Sequence, residues 1–203
     1  MKSRKIYLYN DNCSLNLSKL KAFIENTFKR PVIIKRIKNA VVTKGLLLDF
    51  IKTKKNIPEA KNSYPIIITK RLFATFDTFD KRIHLRSSLC SYPSIISLSG
   101  IVEAPAKPRE YYLAKQSLSS TGLWEFEEPK IKEKLRGRFI DYDDKRILEI
   151  LKGLVSQAIF FYLTGEPFCK VKKCRLYNAH WQEDLIYSQI KSGKFCAKHS
   201  KIL

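Results

Sequence analysis

Five cysteines and three histidines occur in this 203-residue chain, and four of those side chains fall into two close pairs near its end. Cys169 and Cys174, then Cys196 and His199, make the pattern C-x4-C-x21-C-x2-H. Thiolate and imidazole are the ligands that hold a zinc ion tetrahedrally, and two pairs flanking a short segment can bring four of them to one point. Three thiolates and a neutral imidazole fill every position and leave none for water or substrate. The spacing therefore predicts one structural Zn2+ rather than a catalytic one. Redox chemistry is the other use of paired cysteines, but neither C-x4-C nor the isolated Cys196 has the C-x-x-C spacing of a redox pair. Buried thiols without a ligand are the remaining alternative. Lys170, Lys172, Lys173 and Lys198 flank the cysteines and argue for exposed thiolates in an electropositive field. Cys13 and Cys90 read as small apolar residues.

A long apolar helix must deliver the first pair. Residues 143–163 carry Ile147, Leu151, Leu154, Ala158 and Phe161 on one face, which Leu148, Val155, Ile159 and Tyr162 broaden until the second half is apolar nearly all round. A helix of that kind is buried, so it is expected to be the central packing helix. Asp143 or Asp144 is the expected N-cap, Gly165 can take the left-handed turn that stops it, and Pro167 keeps it from resuming.

Upstream, the pattern is α/β: a mixed sheet with flanking helices and a zinc-stapled helical C-terminal segment. Residues 5–9 alternate as a first strand, 17–28 repeat at helical spacing, and 31–34 are β-branched. Together they predict a βαβ unit with parallel pairing. Residues 46–51 suggest a short helix and 52–63 a loop. Residues 65–69, 82–86 and 93–99 read as strands, the last ended by Gly100, with 73–80 a turn or edge strand and 138–142 one more short strand. A helix is expected over 109–115, and 124–134 reads only as a charge-rich surface segment. The expected organisation is one domain over 1–203, sheet-rich over 1–142, with the central helix and zinc knuckle over 143–203.

Composition limits the function classes. Hydrophobic residues make up 44% and charged residues 29%, which suits a globular protein, and no run reads as a membrane span or a cleavable leader. The expectation is a cytoplasmic protein, where thiols stay reduced and favour metal over disulfide. Net charge is +20, of which residues 1–70 carry +12. Such a basic third supports contact with RNA, the ribosome or another polyanion, although a Lys-rich surface also serves solubility alone.

The knuckle resembles that of the archaemetzincin-type metallopeptidases. In that family a helix of the form H-E-x-x-H-x-x-G-x-x-H runs directly into C-x4-C-x-M and, further on, C-x-x-C. Gly165 stands at the glycine, Leu176 at the methionine, and His199 at the last cysteine. The resemblance implies a metzincin-like fold with its structural zinc. The catalytic positions do not carry over: Ala158 and Tyr162 stand for the helix histidines, Ile159 for the glutamate, and Phe168 for the third histidine. A zincin needs those imidazoles and a carboxylate to activate metal-bound water. What the resemblance implies is a relative with no catalytic residues at these positions, acting by binding. The alternative is an active metallopeptidase or other hydrolase with a relocated metal site. His84, and His180 with Glu183 or Asp184 on the helix between the zinc pairs, are the histidines left for that role, and the 103–111 loop could line a cleft.

Overall fold

A computed structural model describes residues 4–58 and 63–203. Part of the expected 52–63 loop, residues 59–62, lies outside the described residues.

β1 (Lys5–Asp11) has Ile6 and Leu8 buried on one face and Tyr9 on the other, as a central parallel strand requires. α1 (Ser18–Phe28) buries Leu20, Ile24 and Phe28, and the chain returns through β2 (Val32–Ile37), parallel to β1. The expected βαβ unit is thus present. Gly45, at φ 56°, turns the chain between β3 (Thr43–Lys44) and β4 (Leu47–Leu48). The helix expected over 46–51 begins later, as α2 (Phe50–Lys55), because the Asp49 carboxylate accepts from Lys52 N and sets the start there. β5 (Ser63–Thr69), buried throughout, pairs parallel with β1 on the side away from β2.

β6 (Phe73–Asp77) and β7 (Arg82–Arg86) form a hairpin, and β8 (Ser88–Leu89) leads to β9 (Ser94–Ser97), parallel to β5. Two sheets result, ordered β2-β1-β5-β9-β8 and β3-β4-β6-β7. In the first, only β8 runs antiparallel to its neighbour, so the sheet is mixed as expected. Gly100 does not end a strand. Ser97 Oγ accepts from Gly100 N and caps α3 (Leu98–Glu103), and Gly100 inside that helix lies so close to β7 that a Cβ would sit 2.1 Å from the Arg86 carbonyl oxygen.

α4 (Arg109–Ser119) and α5 (Trp124–Lys134) follow. The charge-rich stretch is helical because Lys130 and Lys132 pair with Glu127 and Glu128 one turn back, while Trp124 and Ile131 pack against Tyr111, Leu135 and Phe139. Residues 138–142 form no strand. Their backbone is held by side chains instead: Ile140 N donates to Gln182 Oε1, and the Arg146 guanidinium donates to the carbonyls of Gly137 and Phe139.

α6 (Ile147–Thr164) starts later than expected, and neither aspartate caps it. Asp143 takes a positive φ of 61°, and the Asp144 carboxylate closes a turn by accepting from the amide and guanidinium of Arg146. Gly165 ends the helix at φ 79°, its amide donating to the Phe161 carbonyl. By length and composition α6 could cross a membrane, but 61% of it is buried inside the fold, between α1, α3 and the sheet. The main core lies there, with Ile6, Leu8, Ile66, Ile68 and Ile96 beneath Leu151, Leu154, Val155 and Ile159. Tyr9, Ile67, Ile95, Val41 and Phe73 fill a smaller core on the sheet's opposite face. α7 (Gln182–Ile186) runs into a π-helical segment (Tyr187–Ser192), and α8 (Ala197–Ser200) closes the chain.

Candidate metal centre

Cys169 follows the glycine stop of α6, and its amide donates to the Leu176 carbonyl, folding residues 169–176 into a tight loop. Arg175 N donates to the Lys194 carbonyl and lays the second ligand pair beside the first. Cys196 then precedes α8, whose third residue is His199. The four sequence-predicted ligands thereby converge, with all four donor atoms within 4.8 Å of one another. Cys169 Sγ lies 3.9 Å from Cys196 Sγ, and His199 Nδ1 lies 3.7 Å from Cys174 Sγ. Tetrahedral zinc, with its usual bond lengths, separates two sulfurs by about 3.8 Å and a sulfur from a nitrogen by about 3.6 Å. Those two edges fit. The third, Cys196 Sγ to His199 Nδ1 at 3.0 Å, is a thiol–imidazole hydrogen bond. Zinc binds this chain, and the donor set suited to it is the three Sγ atoms with Nδ1 of His199.

Backbone amides serve the sulfurs: Val171 N donates to Cys169 Sγ at 3.4 Å and Cys196 N to Cys174 Sγ at 3.5 Å. Burial pushes the Cys174 thiol up to about 11. Burial also works upward on Cys196, but the amides of His199 and Lys198 and the neighbouring thiols outweigh it and hold that group below its ordinary value. Burial first, and the Lys198 charge second, lower His199, which favours the neutral imidazole a metal needs. The expectation of exposed thiolates fails at Cys174, which is fully buried, while Cys169 and Cys196 are half-buried. The reason is aromatic cover. Phe160 of α6 meets the His199 ring edge-on at 5.3 Å, and Phe28 and Phe195 pack on Phe160. The knuckle is welded to the helix core.

The four zincin positions show a different chemistry. Ala158 and Ile159 are 1% and 0% exposed, inside the main core. The Tyr162 hydroxyl donates to the Pro65 carbonyl and accepts from Ser94 N at 2.8 Å, joining the starts of β5 and β9. Its ring stacks on Tyr64 at 4.8 Å, and burial holds the phenol well above its ordinary pKa, so it stays protonated. Phe168 is 44% exposed beyond the glycine turn.

Residues 43–203 match the model of a family described as "Probable metallopeptidase family (DUF6775)". The chain belongs to that family. Its structure is similar to the crystal structure of a zinc-dependent peptidase from Methanocorpusculum labreanum (strain Z), with a TM-score of 0.53 over 97% of this chain and 98% of that one. At 12% identity the likeness is one of fold. No curated protein matches the sequence. The expected zinc-metallopeptidase kinship therefore holds at the level of family and fold.

The other two histidine candidates lie away from this centre. His84 Nε2 meets Asp80 Oδ2 at 2.7 Å in the β6–β7 hairpin, beside Asp77, which faces Arg86 at 3.5 Å. His180 precedes α7 rather than lying on it, because its carbonyl is tied to Ala106 N in the strand-like contact that ends at Trp181. Glu183 and Asp184 are taken by Arg138 and Lys172. In the 103–111 loop Lys107 pairs with Glu103, Glu110 with Arg138, and the Tyr111 hydroxyl donates to Glu128, so these groups brace the helices rather than line a cleft. Sequence reasoning missed the end of β1. The strand expected over 5–9 continues through Asn10 and Asp11, which are buried, and Asp11 accepts from Ala40 N, Val41 N and Thr69 Oγ1. The signal was a polar run closing a central parallel strand, the place where open α/β sheets bind ligands.

Proposed function

We propose that this chain is a zinc-stapled member of its metallopeptidase family that acts by binding, without zincin hydrolysis, and that its partner is a polyanion of the RNA or ribosome kind. The occupancy of α6 carries the first half. Where a zincin places two imidazoles and a general base, this helix has a methyl group, a sec-butyl group and a phenol spent on two strands. Charge supports the second half: the +12 of residues 1–70 includes Lys19, Lys35, Arg36, Lys38, Lys52 and Lys54, all exposed. An RNA mobility shift tests it. Binding should be saturable at low salt and fall by about a thousandfold or more between roughly 50 and 200 mM salt, as release of counterions demands. Absence of any shift at low salt would remove the polyanion from the account.

The alternative, a hydrolase with a relocated metal, has one specific observation in its favour. Asp77, Asp80 and His84 bring three donor atoms within 4.8 Å. That reading requires a second metal lost on His84→Ala, together with metal-dependent peptide hydrolysis.

A further inference from the structure

We propose that the outward face of the β3-β4-β6-β7 sheet, together with the tip of its β6–β7 hairpin, docks on an anionic lipid bilayer surface. This goes beyond the polyanion reading and does not rest on it. The strand register assembles the face. Leu47 stands opposite Ala74, Ala74 opposite Leu85, and Phe76 opposite Ile83. Paired residues share a face and successive ones alternate, so these five look the same way. Leu48 and Phe73, one position along, look the other way and pack in the smaller core. The face opposite that core is therefore the outward one, and on it Phe76 and Ile83 are 55% and 59% exposed.

The hairpin carries this face away from the core. Phe73 anchors its base at 0% exposure, whereas Phe79 in the turn is 97% exposed. The turn is ordered: Asp77 Oδ1 accepts from Phe79 N at 2.9 Å, and Asp80 Oδ1 accepts from Arg82 N at 3.1 Å. A phenyl ring held out by a fixed turn, next to the exposed Phe76 and Ile83, is a surface kept for a partner.

Charge decides which partner. Lys44 stands opposite Leu47 on the outward face, Lys81 follows the tip, and Lys54 and Lys55 lie on α2, just after β4. All four are exposed, and none pairs with an acid among the described residues. The nearby acids are already engaged: Asp49 with Lys52, Asp77 with Arg86 and Asp80 with His84. A second copy of the chain would bring the same cations, at +20 per chain. Pairing β7 antiparallel with its own copy about His84 would also set Arg82 against Arg86. Nucleic-acid bases stack on aromatic rings, and Leu47, Ile83 and Leu85 offer none. A bilayer takes aliphatic and aromatic side chains alike at its acyl boundary, while lysine ammoniums reach its anionic headgroups. Such docking needs no spanning segment.

Co-sedimentation of the zinc-loaded full chain tests this with two kinds of vesicle, phosphatidylcholine alone and equal parts phosphatidylcholine and phosphatidylserine. Binding to the mixed vesicles should be saturable and roughly tenfold or more tighter than to phosphatidylcholine. In bicelles of the same mixture, a spin-labelled lipid should broaden the amide NMR signals of residues 44–47 and 76–83 most strongly. Phe79→Ser/Ile83→Ser keeps every charge and should melt like wild type, since both side chains are exposed. It should bind the mixed vesicles about tenfold or more weakly. Lys44→Gln/Lys81→Gln should lose affinity to a similar degree at low salt. Absence of binding to the mixed vesicles overturns the proposal, as does equal binding to both kinds. Undiminished binding by the serine variant also overturns it, leaving only adsorption of a +20 chain to an anionic surface. A wild-type dimer that the serine variant dissolves would give the face to a second copy instead. The RNA mobility shift of the serine variant should match wild type. Its loss would give the face to RNA and leave the polyanion reading standing, so the two proposals fail separately.

Discussion

Replacing Tyr162 with phenylalanine removes one oxygen and leaves the ring stacked on Tyr64. That oxygen is the donor to the Pro65 carbonyl and the acceptor for Ser94 N, so the change strands one acceptor and one donor on neighbouring buried strands. Each buried group left without a partner costs about 1–3 kcal/mol. The two share one oxygen and their losses do not add fully, so the expected total is about 2–4 kcal/mol. In a chain of this length each kcal/mol lowers the melting temperature by roughly 2–4 °C, which predicts a fall of about 5–15 °C for Tyr162→Phe. Scanning calorimetry of the zinc-loaded proteins reads the shift, and metal analysis of the same samples reads zinc. Bound zinc should be unchanged. A melting temperature within about 2 °C of wild type would refute the bridging role, and loss of metal from the variant would refute the claim that this residue is a structural link instead of a ligand.

Chelation should expose residues 165–203 to limited proteolysis before the sheet is cut, because binding energy at a structural zinc is folding energy; equal protease resistance with and without metal would contradict this. Gly153→Ala places a methyl group 1.7 Å from Gln189 Oε1, on a side chain held by its donation to the Arg175 carbonyl. We expect a loss of about 1–3 kcal/mol in urea unfolding, and a change under about 0.5 kcal/mol would show that the close packing of α6 on the π-helical segment is not real. Burial tends to raise the Asp144 carboxyl, but its bonds with the Arg146 guanidinium and amide hold it below the ordinary carboxylate range. The stability it adds is full above an unfolded value of about 3.9 and is lost only as pH falls through the lower folded value. Urea midpoints should therefore favour wild type over Asp144→Asn by about 1 kcal/mol near neutrality, with the gap closing below about pH 4; a gap independent of pH would refute the ion pair.

The convergence of Cys169, Cys174, Cys196 and His199 was legible because its signal is chemical: few residue types bind zinc, and C-x4-C with C-x2-H leaves little choice. Their burial was not. Nothing in the lysines around Cys174 foretells that Arg175 N will reach the Lys194 carbonyl, or that Phe28, Phe160 and Phe195 will roof the site. The βαβ unit and α6 were legible through long periodic runs, whereas β3, β4 and β8 have two residues each and carry no period to read. For that reason β3 and β4, which extend the β6–β7 hairpin into a second sheet, were invisible, although 73–80 reads as a turn or edge strand and 82–86 as a strand. Residues 138–142 have a strand's composition, yet Gln182 and Arg146 satisfy their backbone from afar, a tertiary solution that local propensity cannot report. Gly100 misled for a related reason: it marks contact between backbones, not the end of an element.

Counting zinc per chain, in the wild type and in Cys169→Ser/Cys174→Ser, tests the account most directly. It predicts one zinc in the wild type and none in the double variant, since these two cysteines help to build the Cys169, Cys174, Cys196 and His199 centre. A second zinc in the wild type, or one that survives in the double variant, would contradict it and return the chain to the working metallopeptidases.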